Sequence, residues 1–303
     1  MEAIRSFAGY LWESATFWKT TALVLALLNL KALPLVWHIR VYRYFFKHGY
    51  LITPAVEQPP RPSTEILEPL SIYSHAPVLE IDFNLHKSNS TYFSDLDVSR
   101  TALMSNIVVK GAALLEKRLE QQGKKGFLGF LLGSVYTNFK REIPAYTQYE
   151  VKSHIASFDR KWIYIVTYFL KPSKSRSPRG GAAAEDPEKL LKRLYAVSIS
   201  KYVLKKGRYT VPPKEAFEAA GYTPFFSAAA EEEEANGHAT GAENGHANGD
   251  AVQRAAGAAG NSDEWERLKK EIDRGLTVIQ PIVDQEERLL EDYVHKMSRP
   301  RFA

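Results

Sequence analysis

The 303-residue chain contains no cysteine. That absence excludes a disulfide framework, a thiol nucleophile and a thiolate metal site, and it suits a reducing compartment. Other chemistry-bearing patterns are missing too. There is no zinc-finger, RNA-recognition or helix-turn-helix pattern, no His-Glu-x-x-His, and no Ser-His-Asp spacing. Gly123-Lys124-Lys125-Gly126 lacks the Lys-Ser/Thr that would complete a phosphate-binding loop. No cofactor and no metal is expected. A strong charge bias is also lacking, since the net charge is only +5. Its basic residues gather around an N-terminal apolar segment rather than forming a nucleic-acid footprint, so nucleic acid is not an expected partner. An uninterrupted apolar run of about 20 residues, enough for a membrane span, is absent as well. What remains is an ordinary globular composition, 45% hydrophobic and 25% charged. It allows one or two domains and a sizeable core.

Residues 20–30 are a soft apolar run, Lys31 interrupts it, and an apolar stretch ending at Trp37 follows. Tolerating Lys31 and Pro34 brings the stretch to spanning length. The expectation is therefore an N-terminal membrane helix, with Lys31 snorkelling and Trp18 and Trp37 at the interfaces. Beyond it, His38, Arg40, Arg43 and Lys47 alternate with Ile39, Val41, Tyr44 and Phe45. That pattern reads as a basic aromatic helix lying on headgroups, with membrane lipid as a partner. Residues 1–49 are thus assigned to an anchor. No small-residue cleavage site follows the run, which disfavours a signal peptide. The excess of Lys and Arg after the run places the C-terminal bulk in the cytosol. Asn89-Ser90-Thr91 is a glycosylation acceptor pattern, and a working site there suits a compartment without that machinery. Glu2 and Glu13 argue against a mitochondrial presequence, so the endoplasmic reticulum membrane is the expected location.

Residues 50–77 carry six prolines and read as a semi-rigid linker or as an extended arm packed on the domain surface. Residues 78–225 read as one α+β domain: a strand at 79–83, a helix after residue 91, a second helix at 109–122 stopped by Gly123, then strands at 128–143, 148–157, 162–170 and 194–204. The strand at 162–170 is apolar on both faces and should be central. A mobile basic insert is expected at 172–188, and residues 226–260 read as a disordered low-complexity insert. His238 and His246 within it read as solvated bystanders. At residues 261–303, Asn261 and Glu264 resemble a capping box. A stripe through Trp265, Leu268, Ile272, Leu276, Ile279, Val283 and Leu290 then marks an amphipathic helix. It must bury itself against the sheet or a partner chain, and Pro281 should kink it.

The stretch from Leu79 to Leu103 carries the chemistry. Leu79, Ile81 and Phe83 share one face of a short strand, followed by Asp82, His86, a polar turn through Ser88, Asn89, Ser90 and Thr91, and the start of a helix. A carboxylate facing the unpaired amides of a helix start could perform acyl chemistry. The bland alternatives are a turn-capping Asp82 or one paired with Arg100, a His86 satisfied by backbone, N-cap roles for Asn89 and Ser90, and a core Tyr92. Asp97 and Arg100 are spaced as a structural helix pair. Arg141, Arg160 and Lys161 could meet phosphates or form a solvated face.

Asp82-x-x-x-His86-x-Ser88-Asn89-x-x-Tyr92 resembles the Asp-x-x-Gly-His-x-Asn-Asn-x-x-Tyr signature of 4-hydroxybenzoyl-CoA thioesterase-like hotdog proteins. The flanks are most similar to the membrane-anchored branch containing thioesterase superfamily member six. Residues 136–143, the strands around Asp159-Arg160-Lys161-Trp162, and residues 195–203 match in order. Two departures fall in the turn: Leu85 replaces a Gly and Ser88 replaces an Asn. The resemblance implies a hotdog fold, an antiparallel sheet wrapped around a long helix, working as a homodimer on acyl-CoA. It implies catalytic roles for Asp82, His86 and Asn89, with Ser88, Ser90, Tyr92, Arg160 and Lys161 toward the substrate. The expected function is a membrane-tethered acyl-CoA thioesterase. The alternative is a non-catalytic hotdog scaffold that binds acyl groups or partner proteins.

Overall fold

The computed structural model describes residues 2–49, 54–173, 187–222 and 250–297. Its helices are α1 (Glu2–Leu28), α2 (Val36–Lys47), α3 (Asn89–Gln121), α4 (Pro187–Arg193), α5 (Pro213–Ala219) and α6 (Asp250–Met297). Its strands are β1 (Leu70–His75), β2 (Leu128–Phe139), β3 (Gln148–Phe158), β4 (Trp162–Leu170), β5 (Leu194–Lys206) and β6 (Tyr209–Val211). The strands form one antiparallel sheet in the order β1-β3-β4-β5-β2, with β6 paired to β5. The sheet packs on the long α3, as the hotdog expectation required.

β4 is central because its side chains are apolar on both sides. Ile163 and Ile165 meet α3 through Leu103, Ile107 and Leu115, while Tyr164 and Val166 pack with Ile279 of α6. This answers where the C-terminal stripe goes. Ser157 Oγ donates to the Ile272 carbonyl at 2.9 Å. A Cβ on Gly275 would stand 1.8 Å from the Ala156 carbonyl oxygen, so only glycine allows α6 to approach β3 this closely. Leu290 of the expected stripe is exposed, and the helix continues through Pro281.

Under α3 the core is divided. Tyr92, Leu96 and Ala102 pack with Tyr149, Val151 and Phe169 at one end, and Leu103 to Leu119 pack with Ile155, Ile163 and Leu204 at the other. Between them runs a buried polar belt. Ser99 Oγ bonds Ser153 Oγ at 2.7 Å, Ser153 bonds Thr167 at 2.7 Å, and Arg100 Nη1 donates to Ser200 at 2.7 Å. Each member has a partner, as buried polar groups require.

Several expectations change. The two helices read across residues 89–122 are one helix, because no breaker stands between Leu103 and Val109. Residues 79–83 are not a strand: a 3-10 turn covers Val78–Glu80. The first strand lies earlier, at Leu70–His75, inside the segment read as linker. Ile66 just before it is fully buried, and Arg61 stacks 4.5 Å over Tyr222. Those prolines therefore belong to an arm packed on the domain. α6 begins at Asp250, ahead of the expected start at Asn261. His238, His246 and most of the 172–188 insert lie outside the described residues.

The largest correction concerns the N-terminus. Among the described residues no helix is long and apolar enough to cross a membrane. Lys31 does not snorkel. It is 9% exposed, and its Nζ donates to Glu80 at 2.8 Å, Asp95 at 2.9 Å, Tyr149 at 2.9 Å and the His75 carbonyl at 2.8 Å. Lys87 Nζ lies 2.6 Å from Glu80 and 3.1 Å from Asp95. Arg40 of α2 reaches the other Asp95 oxygen at 2.8 Å. α2 is therefore packed on α3 by a charge pair and by Val41 and Tyr44, rather than lying on headgroups. A charge that can satisfy two carboxylates inside the fold has no reason to remain in a bilayer.

Burial alone would push the Asp95 carboxyl up, but Lys31, Lys87 and Arg40 overcome it and hold it well below its ordinary value of 3.8. As pH falls below that value, the unfolded chain takes up a proton that the folded chain refuses. Stability should thus decline with acid through that window, and Asp95→Asn should flatten the decline in urea-unfolding midpoints measured against pH. At neutral pH, Lys31→Met should cost about 3 kcal/mol, the low end for breaking a buried pair, because Lys87 and Arg40 still face Asp95. An unchanged urea midpoint would mean that the segment is not docked.

Candidate active site

The turn before α3 is built by local backbone bonds. Leu85 N–H donates to the Asp82 carbonyl at 3.0 Å, and Asp82 N–H donates to the His86 carbonyl at 3.0 Å. The Asp82 side chain accepts the Asn84 N–H at 2.9 Å, an Asx turn. Leu85 closes it with a φ of +63°, the left-handed region that favours glycine. Leu85 therefore holds the backbone shape that the resembling signature gives to Gly. Lys87 N–H donates to the Ile143 carbonyl and Ser88 N–H to the Glu80 carbonyl, both at 2.8 Å. His86 bridges Pro144.

Alternation along this segment sorts its side chains. Lys87 points into the buried charge cluster, while Asp82 and His86 reach the surface, each about one-fifth exposed. Their Oδ1 and Nδ1 atoms are 3.7 Å apart, and His86 Nε2 is 3.9 Å from Glu142. Asp82 pairs with His86 and not with Arg100, whose partner is Asp97 at 2.5 Å. α3 starts at Asn89 with Ser88 as N-cap in extended backbone, and the Ser88 side chain does not cap it. It bonds the Ser90 hydroxyl at 3.0 Å instead. Thr91 N–H donates to the Ser88 carbonyl at 3.0 Å; the Asn89 and Ser90 amides before it have no preceding helical carbonyl to bond, and the positive end of the helix dipole is there. Asn89 and Ser90 are exposed.

The other expected substrate residues are elsewhere. Tyr92 is 2% exposed and packs edge-on with Phe139 and Phe169 at 5.0 and 4.8 Å, so it is part of the core. Arg160 and Lys161 sit at the exposed β3–β4 hairpin, with Lys161 over Trp162 at 4.5 Å. The turn adjoins the start of β3 and the hairpin ends it. The 11 residues of β3 separate them by about 36 Å. Arg141 bonds the Lys192 carbonyl.

Two features escaped the sequence reading. The first is Lys87, buried in the charge cluster, to which the sequence reading gave no role. The second is a cavity of about 900 Å³ between α2, α3 and β2, walled by Val41, Phe45, Met104, Val108, Leu115 and Phe130. The Trp37, Val41 and Phe45 spacing on one face of α2 was its visible signal. None of the expected site residues lines it. The first α3 residue that does is Asp97, about 12 Å along the helix from Asn89.

A family model described as the thioesterase-like superfamily matches residues 77–185. The chain is 32% identical to "Thioesterase lcsJ" of Purpureocillium lilacinum, over 91% of this chain and 93% of the relative. It is 34% identical to "Thioesterase poxG" of Penicillium oxalicum, over 67% and 71%. Among solved structures, a 1,4-dihydroxy-2-naphthoyl-CoA thioesterase from Synechocystis matches at 10% identity and a TM-score of 0.35, covering 52% of this chain and 97% of that one. Identity of 32% across nine-tenths of both chains, together with the family match, decides the matter: the chain belongs to the thioesterase-like superfamily and is a thioester hydrolase.

Proposed function

We propose that the substrate is an acyl-CoA and that Asp82 carries the reaction. The observation behind this reading is the partly exposed Asp82 carboxylate, held by its Asx turn 3.7 Å from His86 in the turn that leads into the α3 start. A thioester carbonyl placed between the carboxylate and the α3 start meets a nucleophile or base on one side and N–H donors on the other. Either Asp82 attacks and water then cleaves the anhydride, or Asp82 takes a proton from the attacking water. The C–S bond breaks, the thiolate leaves as protonated CoA, and the free acid remains. His86, 3.7 Å away, positions the carboxylate.

A homodimer completes this site. Among the described residues nothing pairs with the outer edge of β2, an open edge that invites another strand. Leu131, Leu132, Tyr136 and Phe139 are exposed along it. Pairing β2 antiparallel with its copy brings the Leu128 end of one strand beside the Phe139 end of the other. Phe139 touches Tyr92, next to the Asp82 turn. The cavity and the Arg160-Lys161 hairpin of one copy then approach Asp82 of the other, where they suit the acyl chain and the CoA phosphates.

Location is proposed at a membrane surface, on the cytosolic side of the endoplasmic reticulum. α1 supports this with Phe7, Trp12, Phe17, Trp18 and Leu25 exposed. The scaffold reading keeps one supporting observation: Asp82 is not among the residues lining the large cavity of its own copy.

Purified full-length protein given an acyl-CoA chain-length panel decides between them. Asp82→Asn should lower turnover about 100-fold or more with the unfolding midpoint unchanged; undiminished turnover would mean that another residue carries the reaction, and binding of acyl-CoA with no turnover by the unaltered protein would favour the scaffold. Leu85→Gly should be neutral or stabilising by about 1 kcal/mol, because it relieves the left-handed strain at a side chain that is 79% exposed. A clear loss of thermal stability would show that Leu85 packs against something, such as the second copy.

A further inference from the structure

The first part of α6 is accounted for by the sheet beneath it, but its C-terminal end is not. Ser157 of β3 donates to the Ile272 carbonyl and Ile279 packs with Tyr164 of β4. Glu286 pairs with Lys201 of β5 at 3.0 Å and accepts from the Ser134 hydroxyl of β2. Those sheet residues lie on one row of the ladder: Ser157 opposite Tyr164, Tyr164 opposite Lys201, Lys201 opposite Ser134. α6 therefore runs across the strands and leaves the sheet at the open β2 edge. It continues from Glu287 to Met297, 11 residues or about 16 Å, which is about three further strand spacings. Among the described residues no strand lies there. Steps of three and four lead from Ile279 through Val283, Glu286, Leu290 and Tyr293 to Met297, one continuous helix face. The first three touch this chain's own sheet. Leu290, Tyr293 and Met297, flanked by Leu289 and Val294, are 60% to 68% exposed.

We infer that this end of α6 is a clasp between two copies of the chain. It lies across the seam on the outer sheet face of the second copy, and the second copy's α6 returns the contact about the same twofold axis. The face that α6 uses on its own sheet continues unbroken past the β2 edge, so the sheet continued by a second β2 is what it meets next. Tyr136 is the apolar surface waiting there. It stands two residues from Ser134, on the same face of β2, and is 47% exposed. The polar side of the clasp favours a second copy over a lipid surface. It carries Glu287, Glu291 and Asp292 against Arg288 and Lys296, without the cationic bias of a helix that lies on headgroups. This inference rests on the β2-paired dimer proposed above, but not on Asp82 or on the acyl group.

Full-length protein tests this in two ways. Sedimentation gives the dimer dissociation constant, which Leu290→Asp combined with Tyr293→Asp should raise about 100-fold. Both side chains are exposed in the single copy, so the unfolding midpoint of the diluted monomer should not fall. Crosslinking then reads the placement, and the cysteine-free chain makes it clean. Copies carrying Tyr293→Cys, enlarged by a tag, are mixed with copies carrying Leu131→Cys, Tyr136→Cys or Asn138→Cys on β2. At least one mixture should yield the mixed disulfide under mild oxidation. An unchanged dissociation constant, or no mixed disulfide in any mixture, would overturn the clasp and leave the β2-paired dimer standing. A monomer at every concentration would overturn both. Loss of binding to phosphatidylcholine–phosphatidylserine vesicles in the Asp variant, with the dimer unaffected, would overturn the clasp in favour of a lipid surface.

Discussion

The structure turns on one buried electrostatic knot. Lys31, Lys87 and Arg40 share Glu80 and Asp95, three cations against two carboxylates, with Tyr149 and Ser74 donating to Asp95 as well. Charges out of water are tolerated only when each is paired and hydrogen-bonded. Five residues from four parts of the chain must therefore arrive together. The knot ties the N-terminal segment to the domain, the 3-10 turn before Asp82 to α3, and α3 to β3. Lys87 is the member nearest in sequence to the proposed site. It anchors the base of the turn from inside while its neighbour His86 and Asp82 face outward.

A second constraint is how the core is partitioned. The serine and threonine belt between the two apolar clusters ties α3 to β3 and β4 side chain by side chain, and through Arg100 to β5. Hydrophobic contact between a helix and a sheet tolerates sliding. Paired buried hydroxyls tolerate it poorly, because each slip leaves a desolvated group unpaired. The belt thus holds α3 in register with the sheet, and its start, just after the Asp82 turn, inherits that precision. Arg100 belongs both to the belt and to the cavity wall.

Much was legible in advance. The α+β architecture followed from alternation in β3 and two-sided apolarity in β4, and the C-terminal stripe announced α6. Asp82, His86 and the α3 start were found together because they lie close along the chain, where spacing is informative. Tyr92 misled because an aromatic at a motif position reads the same whether it lines a pocket or fills a core. Arg160 and Lys161 lie at the far end of β3 from Asp82 within one copy, which sequence order could not show, because it is blind to which end of a strand a hairpin occupies.

By itself the amino-acid sequence determined the periodicities, the missing thiol chemistry, and the turn that carries the carboxylate, because these depend on composition or on residues within about one turn or strand of each other. The tertiary structure alone decided the fate of Lys31, the docking of α2 on α3, and the cavity that they enclose. A lysine in an apolar run has the same neighbours in sequence whether it faces lipid headgroups or two buried carboxylates. Only the arrival of Glu80 and Asp95, 49 and 64 positions away, makes the interior the better place for its charge.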